Sequence, residues 1–158
     1  MKHRDSTATL HSHREGRPFR ADQVELRVPS DPKLLKVVRS TIEYLCQLIG
    51  FDQDERNSIK LAVDEACSNI IRHAYDDRHD QEILVSCLIL DNGIEIKLED
   101  FGKQVDKKNI KSRDLEQIRP GGLGVHLIQS VMDVVQYDED RPEGNHLTLI
   151  KYLETPEK

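Results

Sequence analysis

The chain has 158 residues, a formal net charge of −6 at pH 7, 37% hydrophobic residues and 33% charged residues. That length suits one domain with one hydrophobic core, and no apolar run approaches the roughly 20 residues that span a bilayer. The basic residues are scattered along the sequence, whereas nucleic-acid-binding proteins gather them on one face. We therefore expect neither a membrane span nor a nucleic-acid partner.

The cysteines and the N-terminus bear on the cellular compartment. The sequence contains three widely spaced cysteines, Cys46, Cys67 and Cys87. An odd number without a CxxC pair predicts free thiols in a reducing cytoplasm. Residues 1–22 lack the apolar stretch of a secretory signal, so we predict a flexible N-terminal tail, followed by one folded domain over residues 23–154.

The first predicted elements are a strand and a helix. Apolar residues alternate with polar ones over residues 23–28, which predicts a strand that ends at Pro29. Ser30 or Asp31 can then cap a helix, whose apolar residues recur at helical spacing for about five turns until Gly50.

A second helix and a hairpin follow. Asp52 offers a second N-cap, and the helical pattern continues over residues 53–74. Strands are predicted at residues 82–90 and 93–99, because Asp91-Asn92-Gly93 between them has the turn chemistry of a tight antiparallel hairpin.

The C-terminal half begins with a long segment without periodicity. Residues 103–121 carry many charges, and a loop of that length inside a compact domain needs a functional reason. A helix follows the glycines at 121–124, and strands are predicted at residues 134–137 and 146–153. This order of elements predicts an α/β (α+β) two-layer sandwich, in which helices cover one face of an antiparallel or mixed sheet.

Three segments carry residues suited to chemistry, and the first lies on the second predicted helix. Glu65, Asn69 and His73 fall successively on one shoulder of its apolar stripe, one turn apart. The plain alternative is that Glu65 belongs to a solvated face and Asn69 is an ordinary boundary residue. An asparagine inside a helix is nevertheless a poor helix former, so its position asks for a compensating hydrogen bond or ligand.

The second and third segments are a strand end and a glycine-rich helix start. Asp100 lies near Gly102, where a carboxylate could accept a hydrogen bond from an exocyclic amine while the glycine admits a flat ring. Gly121-Gly122-Leu123-Gly124 precedes a helix, whose N-terminal N–H groups can hold polyphosphate. A plain turn and a flexible loop are the alternatives, and the glycines fit neither the Walker A loop nor the dinucleotide fingerprint.

In this order the three segments resemble the N, G1 and G2 boxes of the GHKL ATPases, the family of gyrase, Hsp90, MutL and histidine-kinase catalytic domains. The stretches EACSNIIRHAY and GGLGVHLIQSVMD are most similar to the bacterial anti-sigma factor serine/threonine kinases. The resemblance covers about residues 23–153, which is nearly the whole predicted domain.

The resemblance implies a role for each matched residue. Asn69 would ligand Mg²⁺, Glu65 would act as general base on the attacking hydroxyl, and Asp100 would bond the adenine amine. The segment 103–121 would be the ATP lid. The other residues expected to contact the nucleotide or shape its pocket are His73, Gly102, Asp106, Gly121, Gly122, Leu123, Gly124, Val125, Asn145 and Thr148. Such a site suits phosphoryl transfer, which depends mainly on positioning and on charge neutralisation.

Two positions depart from the family pattern. Gln104 stands where the family often has a second glycine of the G1 box, and Gly144-Asn145 stands where it has Gly-Thr before the last strand. Asn145 can still hydrogen-bond adenine or its water, so nucleotide binding is still expected.

The resemblance implies a cytoplasmic kinase that uses ATP and Mg²⁺ to phosphorylate a Ser or Thr of a STAS-type anti-anti-sigma protein, and that sequesters a sigma factor. A homodimer is also expected, because relatives of this class commonly dimerise. The alternative is an ATP-binding anti-sigma regulator without catalysis, and Glu65 favours the kinase. A histidine kinase is the third candidate, but only about twenty residues precede the first strand, too few for its dimerising helices and phosphoacceptor histidine. A gyrase- or Hsp90-type machine would need further domains.

Overall fold

A computed structural model describes residues 19–104 and 123–155. In chain order its elements are β1 (Gln23–Pro29), a 3₁₀ turn (Pro32–Leu34), α1 (Leu35–Ile49), α2 (Gln53–Asn69), a π-helical turn (Ile70–Ala74), β2 (Glu82–Leu90), β3 (Gly93–Asp100), α3 (Leu123–Val131), β4 (Val134–Tyr137) and β5 (Asn145–Tyr152). The predicted order of strands and helices is confirmed over these residues. The prediction of a tail at 1–22 and of a lid at 103–121 falls mostly outside them. None of the described helices has the length and apolar character needed to cross a membrane.

The strands form one sheet in the order β1-β2-β3-β5-β4, and each neighbouring pair is antiparallel. β2 and β3 form the hairpin predicted from the Asn-Gly turn, with Leu90 opposite Gly93. β5 lies between β3 and β4, and its first residue, Asn145, lies opposite Asp100 at the end of β3. The two-layer sandwich is confirmed, and its sheet is antiparallel rather than mixed over the described residues.

The helices cover one face of the sheet because each layer presents apolar residues to the other. Alternate residues of β2, β3 and β5 are buried, and most of their neighbours, which point to the opposite face, are only partly buried. Burial of each large aliphatic side chain stabilises the fold by about 1.5–3 kcal/mol. The core includes Ile42 of α1, Ile59 and Val63 of α2, Ile128 of α3, and Ile83, Ile96 and Leu149 of the sheet.

The cysteines belong to this core. Cys46, Cys67 and Cys87 are all buried free thiols, as the sequence predicted. Burial raises the pKa of each thiol to about 12, because an apolar environment disfavours the thiolate. The three side chains therefore remain protonated and act as small apolar groups in the core.

The start of the first helical segment shows which of two predicted caps is used. The Asp31 side chain accepts a hydrogen bond from the Lys33 N–H at 2.9 Å, so Asp31 caps the 3₁₀ turn that leads into α1. Ser30 is buried and has a different role. Its hydroxyl donates to the Arg78 carbonyl at 2.6 Å and accepts from the Gln81 N–H at 3.0 Å, which fixes the chain just before β2.

The second helix changes its hydrogen-bond pattern in the segment that carries the candidate residues. We predicted one helix over residues 53–74, and the structure instead changes from α-helix at Asn69 to a π-helical turn that ends at Ala74. The Tyr75 N–H donates to the Ile70 carbonyl at 3.1 Å, and the Ala74 carbonyl accepts from Lys103 rather than from a continuing helix. π-helical turns within helices occur frequently at functional sites.

Candidate functional site

Glu65 and Asn69 lie one turn apart on α2, and Arg72 in the π-helical turn joins them. Arg72 Nη2 donates to Asn69 Oδ1 at 3.1 Å and lies 3.6 Å from Glu65 Oε2. The Asn69 amide thus presents its oxygen, and not its nitrogen, to a cationic group. Sequence reasoning did not select Arg72, although its spacing of three residues from Asn69 places it on the same helical shoulder.

The start of α3 lies directly against Glu65. A Cβ atom added to Gly124 would overlap Glu65 Oε2 and lie 3.0 Å from Glu65 Cδ, so the close approach requires glycine. The structure therefore brings together two residues from separate motifs, Glu65 of the second predicted helix and Gly124 of the glycine-rich segment.

The other predicted residues of these two motifs are less completely described. His73 is exposed in the π-helical turn, and Val125 is partly buried on the first turn of α3. Leu123 is the first residue of α3, and only its backbone is described. Three predicted residues of the lid and its glycines lie outside the described residues, namely Asp106, Gly121 and Gly122.

Asp100 supplies a buried carboxylate at the end of β3. Its side chain is among the largest fully buried ones, and the residue is 1% exposed. Oδ1 accepts from the Gly102 N–H and from Asn145 Nδ2, both at 3.0 Å, and Oδ2 lies 3.1 Å from the same Asn145 nitrogen. Burial raises the pKa of the Asp100 carboxyl, and the hydrogen bonds from Gly102 and Asn145 oppose that rise. Asp100 and Asn145 thus form one hydrogen-bonded unit.

The segment after Asp100 is fastened to the end of the second helix. A Cβ atom added to Gly102 would overlap the Ala74 carbonyl oxygen and lie 2.6 Å from its carbon. The Lys103 N–H donates to that same oxygen at 2.9 Å. Tyr75 adds a second connection, because its hydroxyl donates to the Glu82 carbonyl and accepts from the Phe101 N–H at 2.8 Å. Sequence reasoning missed Tyr75, since nothing in the sequence places it near residue 101.

The loop before β5 fastens the same segment from the other side. Asn145 Nδ2 donates to the Lys103 carbonyl at 2.8 Å, in addition to its contacts with Asp100. Gln104 Nε2 donates to the Arg141 carbonyl at 2.7 Å. Lys103 and Gln104, which end the first described stretch, are therefore held by contacts on two sides.

Thr148 is the predicted site residue that the structure does not bring to the others. It lies opposite Lys97 of β3 and Gln136 of β4, three residues after Asn145 in a strand where alternate side chains point to opposite faces. With Lys97 and Gln136 it lines a groove of about 730 Å³ on the sheet face away from the helices. Asp100 and Asn145 belong to the helix-covered face.

The arrangement has a buried end and an open end that suit two different chemistries. At the buried end, the Asp100 carboxylate can accept a hydrogen bond from an amine on a flat ring. Gly102 does not admit the ring on its Cβ side as the sequence suggested, because the Ala74 carbonyl fills that space. At the open end, Arg72 contacts the acceptors of both Glu65 and Asn69, and Glu65 lies against Gly124 at the start of α3. Over residues 19–104 and 123–155 no three His, Cys, Asp or Glu side chains gather as a metal cluster. A hard cation at Asn69 would therefore complete its oxygen shell from phosphates and water, which is how Mg²⁺ commonly binds.

Comparison with protein families gives a match over most of the chain. Residues 28–151 match the family described as the histidine kinase-like ATPase domain. That range runs from the end of β1 to the last residue but one of β5, and it includes all the candidate residues discussed above.

Several known proteins of similar sequence are named serine-protein kinase RsbW. The protein of that name from Bacillus pumilus is 32% identical over 143 residues, which are 84% of this chain and 86% of the relative. Those from Oceanobacillus iheyensis and Bacillus velezensis are 31% and 30% identical, and each match covers 84% of this chain. In each case at least 86% of the relative is covered.

A solved structure confirms the fold. The crystal structure of the RsbU and RsbW domains of a Mycobacterium tuberculosis protein matches with a TM-score of 0.62 and 16% sequence identity. The match covers 85% of this chain and 33% of that longer chain. The chain thus spans about a third of that structure.

Proposed function

The chain belongs to the histidine kinase-like ATPase domain family, and from that premise we propose that it is an anti-sigma factor serine/threonine kinase. In this proposal it binds Mg-ATP, transfers the γ-phosphate to a Ser or Thr of a STAS-type anti-anti-sigma protein, and sequesters a sigma factor in the cytoplasm. The relatives named serine-protein kinase support the activity, since they are covered over nearly their full length.

One observation carries the proposal, and it is the contact between Glu65 and the start of α3. Because a Cβ atom at Gly124 would overlap Glu65 Oε2, the carboxylate lies against the first turn of this helix, where backbone N–H groups have no partner within the helix. Such N–H groups and the helix dipole favour phosphate. A carboxylate there, one turn from Asn69, is placed to receive the proton of a hydroxyl that approaches the terminal phosphate.

The described residues fit Mg-ATP at both ends of the site. Asp100 would accept a hydrogen bond from the adenine amine, and Gly102 would shape the pocket by letting its backbone pack against the Ala74 carbonyl. Asn69 would direct its amide oxygen to Mg²⁺, which would neutralise phosphate charge during the transfer. The exposed guanidinium of Arg72 contacts both Glu65 and Asn69, and it would add positive charge where the phosphates would lie.

The proposed transfer needs no covalent intermediate on the protein. The substrate hydroxyl oxygen forms a bond to the γ-phosphorus while the bond from that phosphorus to the ADP oxygen breaks. Glu65 takes the hydroxyl proton, and ADP leaves with the electron pair of the broken bond. The contribution of the chain is to hold the nucleotide, to orient the incoming hydroxyl and to accept its proton.

A second candidate function is an ATP-binding anti-sigma regulator without phosphoryl transfer. The observation that favours it is the ion pair between Arg72 and Glu65, because a carboxylate that holds a guanidinium already has a structural role. In that case the chain would bind ATP and its protein partners, and Glu65 would serve only to hold Arg72.

Incubation of the chain with γ-labelled ATP, Mg²⁺ and purified STAS-type proteins from the same genome separates the two candidates. The kinase proposal predicts a labelled serine or threonine on one such protein, and no label when the Asn69→Ala variant is used. Nucleotide binding with no label on any of these proteins would favour the passive regulator. Light scattering of the same samples tests the expected homodimer.

A further inference from the structure

The amide nitrogen of Asn145 donates to three acceptor atoms, two on Asp100 and one on Lys103. Nδ2 lies 3.0 Å and 3.1 Å from the two Asp100 carboxylate oxygens and 2.8 Å from the Lys103 carbonyl oxygen. A carboxamide nitrogen has two hydrogens, so one serves the carboxylate as a shared bond and the other serves the carbonyl. The residue is 7% exposed, and these hydrogen bonds therefore form away from bulk water, where they hold geometry most firmly.

The sequence suggested that Asn145 would itself hydrogen-bond adenine or its water. In the structure both amide hydrogens face protein acceptors, so any contact of Asn145 with adenine or its water would use Oδ1. We infer that Asn145 is a positioning residue for nucleotide specificity. It fixes the direction of the Asp100 carboxylate toward the 6-amino group of adenine. It also couples that carboxylate to the backbone of Lys103, where the chain leads away from the site. This inference rests on the proposed function, since it assumes that Asp100 selects adenine.

The residue type explains why both contacts are made by one side chain. A threonine hydroxyl has one hydrogen and can serve either the carboxylate or the carbonyl, whereas the asparagine amide can serve both. Gln104, the next residue but one after Gly102, contacts the Arg141 carbonyl and does not contact Asp100. The chain therefore offers a matched control, because Asn145 and Gln104 both hold the segment after Asp100 but only Asn145 touches the carboxylate.

The test compares two nucleotides on the full chain by calorimetry. One is ATP, and the other is purine riboside 5′-triphosphate, which lacks the 6-amino group. We expect wild type to prefer ATP. Asn145→Ala should lose about tenfold or more in ATP affinity and much less in affinity for the analogue, as expected for a hydrogen bond to a charged group. Gln104→Ala should weaken both nucleotides by a similar factor.

Two further readouts distinguish positioning from simple loss of structure. Asn145→Thr should restore most of the preference for ATP, because a hydroxyl can still donate to Asp100. ATP affinity should fall at low pH, and this fall is the acid limb of binding. In Asn145→Ala the acid limb should move to higher pH, because loss of a donor raises the pKa of Asp100 further. In Gln104→Ala it should not move.

Each outcome decides one of the two claims. Equal loss of ATP and analogue affinity in Asn145→Ala, with an unmoved acid limb, would overturn the positioning role. If Asn145→Ala does not fold, Asn145→Thr still tests the role because it keeps a donor to Asp100. Loss of the preference for ATP in the folded Asn145→Thr protein would also overturn it. A wild-type protein that binds no ATP, or binds both nucleotides equally, would instead refute the assignment of Asp100 in the proposed function.

Discussion

The substitution Gly124→Ala tests whether the contact between α3 and Glu65 serves catalysis. The new Cβ atom would overlap Glu65 Oε2 and lie 3.0 Å and 3.7 Å from Cδ and Cγ of the same side chain. The Glu65 side chain is 32% exposed, so it can rotate away without disturbing the core. The rotation would move the carboxylate away from the phosphates that we place at the start of α3.

The expected effect on stability is small because two terms oppose each other. Alanine in place of glycine favours a helix by about 0.5–1 kcal/mol. Loss of the half-exposed ion pair between Glu65 and Arg72 costs about 0–1 kcal/mol, since solvent screens it. We therefore expect the free energy of unfolding to change by less than about 1 kcal/mol. Misplacement of a general base removes a factor of about 10² to 10⁴ in rate, so phosphoryl transfer should fall by at least about 10².

The assay is single-turnover phosphorylation of the partner protein, run beside thermal unfolding and ATP calorimetry. Gly50→Ala is the control, because Gly50 has a φ of 108° and no atom within 4 Å of an added Cβ. It should lower the melting temperature through backbone strain and leave the transfer rate unchanged. A Gly124→Ala protein that is folded, binds ATP and transfers phosphate at the wild-type rate would refute the reasoning.

Three other predictions address separate parts of the site. Asn69→Ala should abolish Mg²⁺-dependent ATP binding with the fold intact, and unchanged affinity by calorimetry would remove Asn69 as metal ligand. Asp100→Asn should abolish the preference for ATP over GTP in competition with a fluorescent analogue. In wild type, ATP affinity should decrease as the pH falls through the raised pKa of Asp100, because the ionised carboxylate is a stronger acceptor for the amine than the protonated carboxyl. Tyr75→Phe should lower the free energy of unfolding by about 1–3 kcal/mol in a denaturant titration, because it removes the hydroxyl shared by the Glu82 carbonyl and the Phe101 N–H. A loss near zero would contradict that role.

Features set by local chemistry were predicted well from the sequence. The Asn-Gly turn predicts the β2–β3 hairpin to within one residue at its far end, where β3 extends to Asp100. Helical spacing predicts that Glu65 and Asn69 share a shoulder of α2. It also predicts that α1 ends at Gly50, which the structure shows in a left-handed conformation. Each of these depends on residues within a few positions of one another.

Features set by tertiary contact were not predictable in the same way. Tyr75 joins Glu82 to Phe101, and Gly124 meets Glu65, through contacts between segments that are far apart in sequence. The π-helical turn after Asn69 depends on the same contacts, because the Ala74 carbonyl takes its partner from residue 103. The outward direction of Thr148 follows from strand alternation once the register of β5 is known.

The central claim is that this chain transfers phosphate and that Glu65 assists the transfer. The most direct measurement is single-turnover phosphorylation of the STAS-type partner by wild type and by Glu65→Gln, at ATP concentrations that saturate both. Glutamine retains the size of the side chain but cannot accept the proton, so the rate should fall by about 10² to 10⁴ while ATP affinity stays within a few-fold. Comparable rates for the two proteins would contradict the account and remove Glu65 from the mechanism.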